Sequence, residues 1–305
     1  MIEVSGLTKR YGDATAVDDL SFTVAPGVVT GFLGPNGAGK STTMRMIAAL
    51  DRPTSGSVRV NGKPYRSAAV PMAELGVLLD ARAVHAARPA YHHLLALAQT
   101  NGIGRRRVGE VLDLVGLAGV TRRRAGEFSL GMGQRLGIAA ALLGDPATVM
   151  LDEPVNGLDP EGIRWVRGLL RHLAAQGRTV FVSSHLLSEM ALTAQRLIVI
   201  GRGRLVADTT VEEFIATAAP AQVHVCTPEA VRLTMVLAGP RVDISAPAPG
   251  VLTVRGHSAE QIGDLAWEHR IRINELRVDR MSLEEAFLGL TRDSVEFRSV
   301  DVGAA

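Results

Sequence analysis

Residues 34–41 read Gly-Pro-Asn-Gly-Ala-Gly-Lys-Ser and follow an apolar run, Val28 to Leu33, that predicts a buried strand. A helix is expected to begin near Ser41, so the glycine loop joins a strand to a helix. Such a loop turns backbone N–H groups toward phosphates, and the helix N-terminus adds the positive end of its dipole. Lys40 would then reach the β and γ phosphates, while Ser41 binds Mg²⁺. The stretch predicts a nucleoside triphosphate site, and a purely structural glycine turn is the disfavoured alternative.

A second motif carries the chemistry that such a site needs. The apolar run 148–151 predicts a strand, and Asp152 and Glu153 follow it directly. Ligands of α/β proteins bind at the carboxyl ends of the strands, which is where these two carboxylates would lie. Asp152 is expected to hold Mg²⁺, and Glu153 to activate the attacking water as a general base. Alone, the pair would more often be a solvated strand end, but the glycine loop reverses that interpretation.

The remaining pattern predicts an α/β domain followed by a smaller one. Two β runs, 148–151 and 179–182, flank a helix at 160–176, which is typical of a parallel βαβ unit. Residues 90–144 have a helical pattern. After a boundary near residues 216–220, the order of the predicted elements is βαββαβ, as in ferredoxin-like domains. The predicted elements of this second part are strands 222–226, 241–245, 251–255 and 272–278, and helices 228–238 and 258–269.

Composition limits the classes of function. The 305 residues suffice for two domains. The 33 basic and 31 acidic side chains nearly balance, so we expect no nucleic-acid partner. Cys226 is the single cysteine, which favours a reducing compartment. The first eleven residues lack the apolar core of a signal peptide, and no apolar run approaches the ~20 residues of a membrane-spanning helix. We therefore expect a cytoplasmic protein.

Together with these motifs, residues 2–215 resemble the ATP-binding subunits of ABC transporters. Tyr11 stands where that family stacks an aromatic ring on adenine, and residues 129–134 are similar to its signature motif. Residues 156–159, Asn-Gly-Leu-Asp, resemble its D-loop, and His185 its switch histidine. The chain departs from the family at Asp80, where a glutamine is usual, and within the signature, where Leu130 replaces a glycine.

The resemblance implies the P-loop NTPase fold of ABC type, with a mixed, mainly parallel sheet, antiparallel β structure and a helical subdomain at about 81–144. With the predicted boundary, we expect an ATP-binding domain at residues 1–216, an accessory domain at 220–295 and a tail at 296–305. The residues expected to contact ATP are Tyr11, Gly34, Pro35, Asn36, Gly37, Ala38, Gly39, Lys40, Ser41, Thr42, Ser129, Gly131 and Asp159. The expected metal ligands are Ser41, Asp152 and Asp80, and the expected catalytic residues are Glu153 and His185.

The resemblance also implies ATP hydrolysis with ATP and Mg²⁺ as cofactors. The partners would be an integral-membrane permease and a second ATP-binding subunit, in a homodimer at the inner face of the cell membrane. The variant motifs are most similar to daunorubicin-resistance exporters, which suggests export of a drug, an antibiotic or a lipid. One alternative is a soluble ABC ATPase acting on ribosomes or DNA, but the tandem domains or long coiled coil of that class are absent from the sequence. A P-loop kinase or GTPase would leave His185 and the signature unexplained.

Overall fold

The chain divides into two compact units. The computed structural model describes residues 1–184, 187–218, 222–279, 283, 284 and 287. Met1–Val211 forms the first unit, and the second begins at Glu212. The expected tail at 296–305 lies outside the described residues. Within the described part of the chain, no helix is both long and apolar enough to cross a membrane.

The first unit contains nine strands and seven helices among its described residues. The strands are β1 (Ile2–Tyr11), β2 (Ala14–Val24), β3 (Val29–Leu33), β4 (Ser55–Val60), β5 (Leu75–Leu78), β6 (Thr148–Leu151), β7 (Thr179–Ser183), β8 (Arg196–Gly201) and β9 (Arg204–Thr210). The helices are α1 (Lys40–Ile47), α2 (Pro71–Glu74), α3 (Ala90–Thr100), α4 (Arg105–Leu114), α5 (Leu130–Leu142), α6 (Pro160–Ala175) and α7 (Leu187–Thr193).

A six-stranded sheet positions the candidate site. Its order is β5-β6-β7-β3-β8-β9, and every neighbouring pair is parallel except β8 and β9. Each residue of β3, β6 and β7 is buried, as expected for apolar strands covered on both faces. Because parallel strands end at the same edge, the segments after β3, β6 and β7 are brought side by side.

The main core joins this sheet to a second, antiparallel sheet of order β2-β1-β4. Three aromatic rings lie in that core: Phe22 from β2, Phe32 from β3 and Phe181 from β7. Their ring centroids are 5.0–5.8 Å apart, within the range of favourable tilted aromatic pairs. Burial of these large side chains therefore holds the two sheets together and stabilises the strands that carry the site.

Helices α3, α4 and α5 occupy the segment between β5 and β6 and pack on one another. Ser129 caps α5, since its hydroxyl accepts a hydrogen bond from the Met132 N–H. Helix α5 also packs against β5. This contact places the start of α5 near the edge of the main sheet.

The second unit has the predicted βαββαβ order. After α8 (Val211–Ala218), its elements are β10 (Gln222–Cys226), α9 (Ala230–Leu237), β11 (Asp243–Ala248), β12 (Val251–Arg255), α10 (Ala259–Glu268) and β13 (Glu275–Asp279). The strands pair antiparallel in the order β11-β12-β10-β13. The strands β11 and β13 begin later than predicted. For β11 the reason is that the strand is largely exposed, so its sequence has little hydrophobic alternation to locate its ends.

We predict that Phe181→Ala lowers the free energy of unfolding by about 3–5 kcal/mol, because the lost ring leaves a cavity between the two sheets. Urea-induced unfolding, followed by circular dichroism, measures the change. Leu50→Ala is the control, since Leu50 is 59% exposed and its loss should stay within about 0.5 kcal/mol. Equal losses for the two variants would contradict the proposed role of the aromatic core.

Candidate functional site

The predicted phosphate loop lies between β3 and α1, and its glycines have the backbone conformations that it needs. Gly37 has a φ of 81° and Gly39 a φ of 98°, both in the left-handed region. A Cβ at Gly39 would lie 2.5 Å from the carbonyl oxygen of Ala16, so a larger residue does not fit there. Helix α1 begins at the next residue, and its positive dipole end therefore points toward the loop.

The loop forms one wall of a cavity of about 500 Å³, a volume within the range of small-molecule sites. Asp152 and Glu153, which follow β6, form part of another wall. The lining residues are Ala16, Asn36, Gly37, Ala38, Gly39, Lys40, Ser41, Thr42, Asp152, Glu153 and Asn156. The structure thus brings together the two motifs that the sequence predicted to act on one ligand.

Lys40 is held inside the loop. Its side chain is 8% exposed, and Nζ donates hydrogen bonds to the carbonyl oxygens of Gly34, at 2.6 Å, and Pro35, at 3.2 Å. Burial lowers the pKa of the Lys40 ammonium, while the Glu153 and Asp152 carboxylates act in the opposite direction. The loop therefore presents a partly desolvated positive charge to the cavity, which suits an anionic ligand.

The Asp152 carboxylate is held from two sides. The Ser41 hydroxyl donates to Oδ2 at 3.1 Å, and the Ser183 hydroxyl donates to Oδ1 in a short hydrogen bond. A serine hydroxyl beside a carboxylate is a set of hard oxygen donors of the kind that Mg²⁺ takes. Ser41 and Asp152 therefore fit the metal role predicted for them. Asp80 instead accepts a hydrogen bond from the Arg82 N–H at 2.8 Å and is not among the described residues that line the cavity.

Several other predicted site residues lie elsewhere than in the lining of the cavity. Tyr11 is 51% exposed, and its hydroxyl donates to Asp51 at 3.3 Å. Ser129 caps α5, and Asp159 caps α6 by accepting the Gly162 N–H at 2.8 Å. None of these three, nor Gly131, lines the cavity among the described residues. His185 lies outside the described residues.

The signature-like segment and the Asn156–Asp159 segment nevertheless lie against each other. A Cβ at Gly157 would come within 2.2 Å of Leu130 Cδ2, and one at Gly131 within 3.2 Å of the Gly157 carbonyl oxygen. The start of α5 is therefore packed on the loop that follows the two carboxylates. Two motifs that were separate in the sequence form one surface.

Sequence reasoning missed three residues near the carboxylates. Ala16 lies on β2, and nothing in its local sequence distinguishes it. Asn156 was noticed as part of a motif but was not assigned to the site. Ser183 ends β7 beside the end of β6, and only the parallel pairing of those strands indicates that its hydroxyl meets Asp152.

Comparison with known proteins gives two family matches. The family described as ABC transporter matches residues 17–156. A family described only as a domain of unknown function matches residues 221–284. A solved structure of the ATP-binding subunit of an ABC transporter has a TM-score of 0.65 and 26% identity, and the match covers 71% of this chain and 92% of that structure.

Curated relatives extend the similarity over the whole chain. The uncharacterized ABC transporter ATP-binding protein YhcH of Bacillus subtilis (strain 168) is 34% identical over 309 residues, which cover 97% of each chain. The daunorubicin resistance ATP-binding protein DrrA3 of Streptomyces coeruleorubidus is 34% identical, with 96% of each chain covered. The bacitracin transport ATP-binding protein BcrA of Bacillus licheniformis is 42% identical over 67% of this chain and 68% of its own length.

We predict that Gly39→Ala destabilises the protein more than Gly177→Ala does. Both glycines have a positive φ, so either alanine should cost on the order of 1–2 kcal/mol in backbone strain. Only at Gly39 does the new Cβ also collide with backbone, whereas at Gly177 it meets nothing within 4 Å. Unfolding free energies of the two variants measure the difference. Equal losses would mean that the loop is not closely packed against Ala16.

Proposed function

We propose a mechanism for this site that starts from one premise. The chain belongs to the family of ABC transporter ATP-binding proteins. Two relatives match it over almost their whole length, so the predicted resemblance is confirmed. The P-loop NTPase fold of ABC type is confirmed with it. The chain is the ATP-hydrolysing subunit of an ABC transporter, and ATP is its nucleotide.

The presence of Lys40, Asp152 and Glu153 in the lining of one cavity is the observation that supports our assignment of the ATP site. We assign the triphosphate to residues 34–42, with Lys40 exchanging its bonds to loop carbonyls for bonds to the β and γ phosphates. The adenine would then extend toward Tyr11, as the family resemblance suggests. An exposed tyrosine offers a ring face for such stacking.

Ser41 and Asp152 are the residues that would hold Mg²⁺, which would supply positive charge to offset the charge of the phosphates. Ser183 keeps Asp152 oriented from the side away from the loop. Asp80 would join this site as a third oxygen ligand only when the segment after β5 moves toward the nucleotide. We therefore assign Ser41 and Asp152 as the main metal ligands and Asp80 as an additional ligand.

We assign the role of general base to Glu153, which lines the same cavity as the loop. Glu153 would accept a proton from the water that attacks the γ phosphate. His185, which follows β7 in the sequence, would bond the γ phosphate from the same edge of the sheet. Hydrolysis then proceeds by in-line attack of water, with the phosphate loop holding the product phosphates.

The signature-like residues Ser129 and Gly131 do not line this cavity among the described residues. We propose that they complete the site of a second copy of the chain, so that two chains enclose two ATP molecules. Asp159, in the loop packed against the signature, would lie at the same interface. ATP binding would close this dimer and hydrolysis would open it again, and these two steps would form the mechanical cycle.

We propose that the cycle drives a separate membrane permease that exports a drug, an antibiotic or a lipid-like molecule. Relatives named for bacitracin transport and daunorubicin resistance support this substrate class. The chain would then act at the cytoplasmic face of the membrane. The second unit, which carries no predicted site residue, is available to regulate dimerisation or docking to the permease.

We predict that Glu153→Gln lowers the kcat of ATP hydrolysis by about 10²–10⁴-fold, because an amide cannot accept the proton of the attacking water. ATP binding should persist, since the phosphate loop is unchanged, and the closed dimer should accumulate. Phosphate release and size-exclusion chromatography with ATP measure the two effects. Glu260→Gln, an exposed change in the second unit, is the control. Hydrolysis at the normal rate would remove Glu153 from the role of base.

We predict that Lys40→Ala weakens ATP binding by about 10- to 100-fold, because hydrogen bonds from a charged donor to the phosphates are lost. Isothermal titration calorimetry with ATP and magnesium measures the affinity. Lys63→Ala removes an exposed lysine outside the cavity and should bind ATP normally. An unchanged affinity for Lys40→Ala would contradict the placement of the phosphates in the loop.

A further inference from the structure

Glu153, which we assign as the base, has an unusual backbone conformation. Its φ is 50°, in the left-handed region that residues with a Cβ rarely adopt. Pro154 follows it, and a residue before proline ordinarily prefers an extended conformation. Such a conformation persists only where the surrounding structure determines it, and strained residues of this kind concentrate at functional sites. The groups that hold the Glu153 peptide are therefore important to its orientation.

One of these groups is the hydroxyl of Ser183, which is fully buried at the end of β7. It accepts a hydrogen bond from the Glu153 N–H at 3.0 Å and donates one to Asp152 Oδ1. A single hydroxyl thus donates a hydrogen bond to Asp152 and accepts one from the next residue, Glu153. The carboxylate of Asp152 and the peptide of Glu153 are oriented by the same group.

The second group is the side chain of Gln134 on α5, which is 4% exposed. Its Nε2 donates to the Glu153 carbonyl oxygen at 3.1 Å, and the Asn156 N–H donates to the same oxygen at 3.2 Å. Gln134 lies one turn along the helix from Gly131. A displacement of the start of α5 would therefore pull directly on the peptide of Glu153.

We propose that Ser183 and Gln134 are positioning residues for ATP hydrolysis, which hold the Glu153 peptide from both sides and direct its carboxylate into the cavity. The proposal rests on the assignment of Glu153 as base. It also assigns Gln134 a coupling role, because this side chain lies on the helix that carries the signature residues and bonds the peptide of the base in its own chain. Neither residue contacts the nucleotide in this proposal.

Gln134→Met tests the proposal most directly, because methionine has a similar size but donates no hydrogen bond. In the full-length chain, with its permease if activity requires it, kcat should fall by about 10- to 100-fold because the base is misplaced. The KM for ATP and the magnesium concentration for half-maximal activity should stay unchanged. When Glu153 is already glutamine, adding Gln134→Met should cause no further loss, since the two residues act through one group.

Ser183→Ala should also lower kcat, and it should raise the magnesium requirement because Asp152 loses a hydrogen bond. Ser183→Thr retains the hydroxyl and should restore most of the activity. Thr148→Val is the matched control: it removes a fully buried hydroxyl from the opposite end of β6, where Thr148 bonds Asn61. It should lower the unfolding free energy but leave kcat unchanged.

An active wild-type chain whose Gln134→Met and Ser183→Ala variants keep the wild-type kcat would overturn the positioning role and leave the proposed function intact. An equal fall in kcat for Thr148→Val would overturn it as well, since general destabilisation would then explain the losses. A normal rate for Glu153→Gln would instead remove the base assignment, and the positioning role with it. The two failures are therefore distinguishable.

Discussion

The site depends on the Asp152 carboxylate, which joins three segments that are far apart in the sequence. Ser41 at the start of α1 donates to one oxygen and Ser183 at the end of β7 donates to the other. This arrangement requires β6, β7 and β3 to end at one edge of a parallel sheet. The aromatic core behind that edge, in turn, holds those strands in place. Burial of side chains in this core thus helps to determine the distances between polar groups in the cavity.

Charge in the cavity is divided between its walls. Lys40 and the N-terminus of α1 make the wall formed by the loop positive, whereas Asp152 and Glu153 make another wall negative. A triphosphate alone would be attracted by the first wall and repelled by the second. A bound Mg²⁺ would offset that repulsion, and Ser41 and Asp152 are the residues that would hold it.

Much of the fold could be predicted because its signals are local. The buried strands β3, β6 and β7 are short apolar runs, and the second unit keeps its βαββαβ order in the structure. Strand ends were less predictable where the strand is exposed, as in β11. The assignments of Tyr11 and Asp80 stay predictions, because each makes a hydrogen bond to another residue and neither is among the described residues that line the cavity.

The sequence by itself determined the phosphate loop and the pair Asp152-Glu153, because each of these motifs is contiguous and its chemistry follows from adjacent residues. Only the tertiary structure decided that Ser183 and Gln134 hold the peptide of Glu153. Serine and glutamine are common residues without a local signature, and their hydrogen bonds span 30 and 19 positions of the chain. Such contacts arise from strand order and helix packing, which depend on burial across the whole unit and not on the neighbouring sequence.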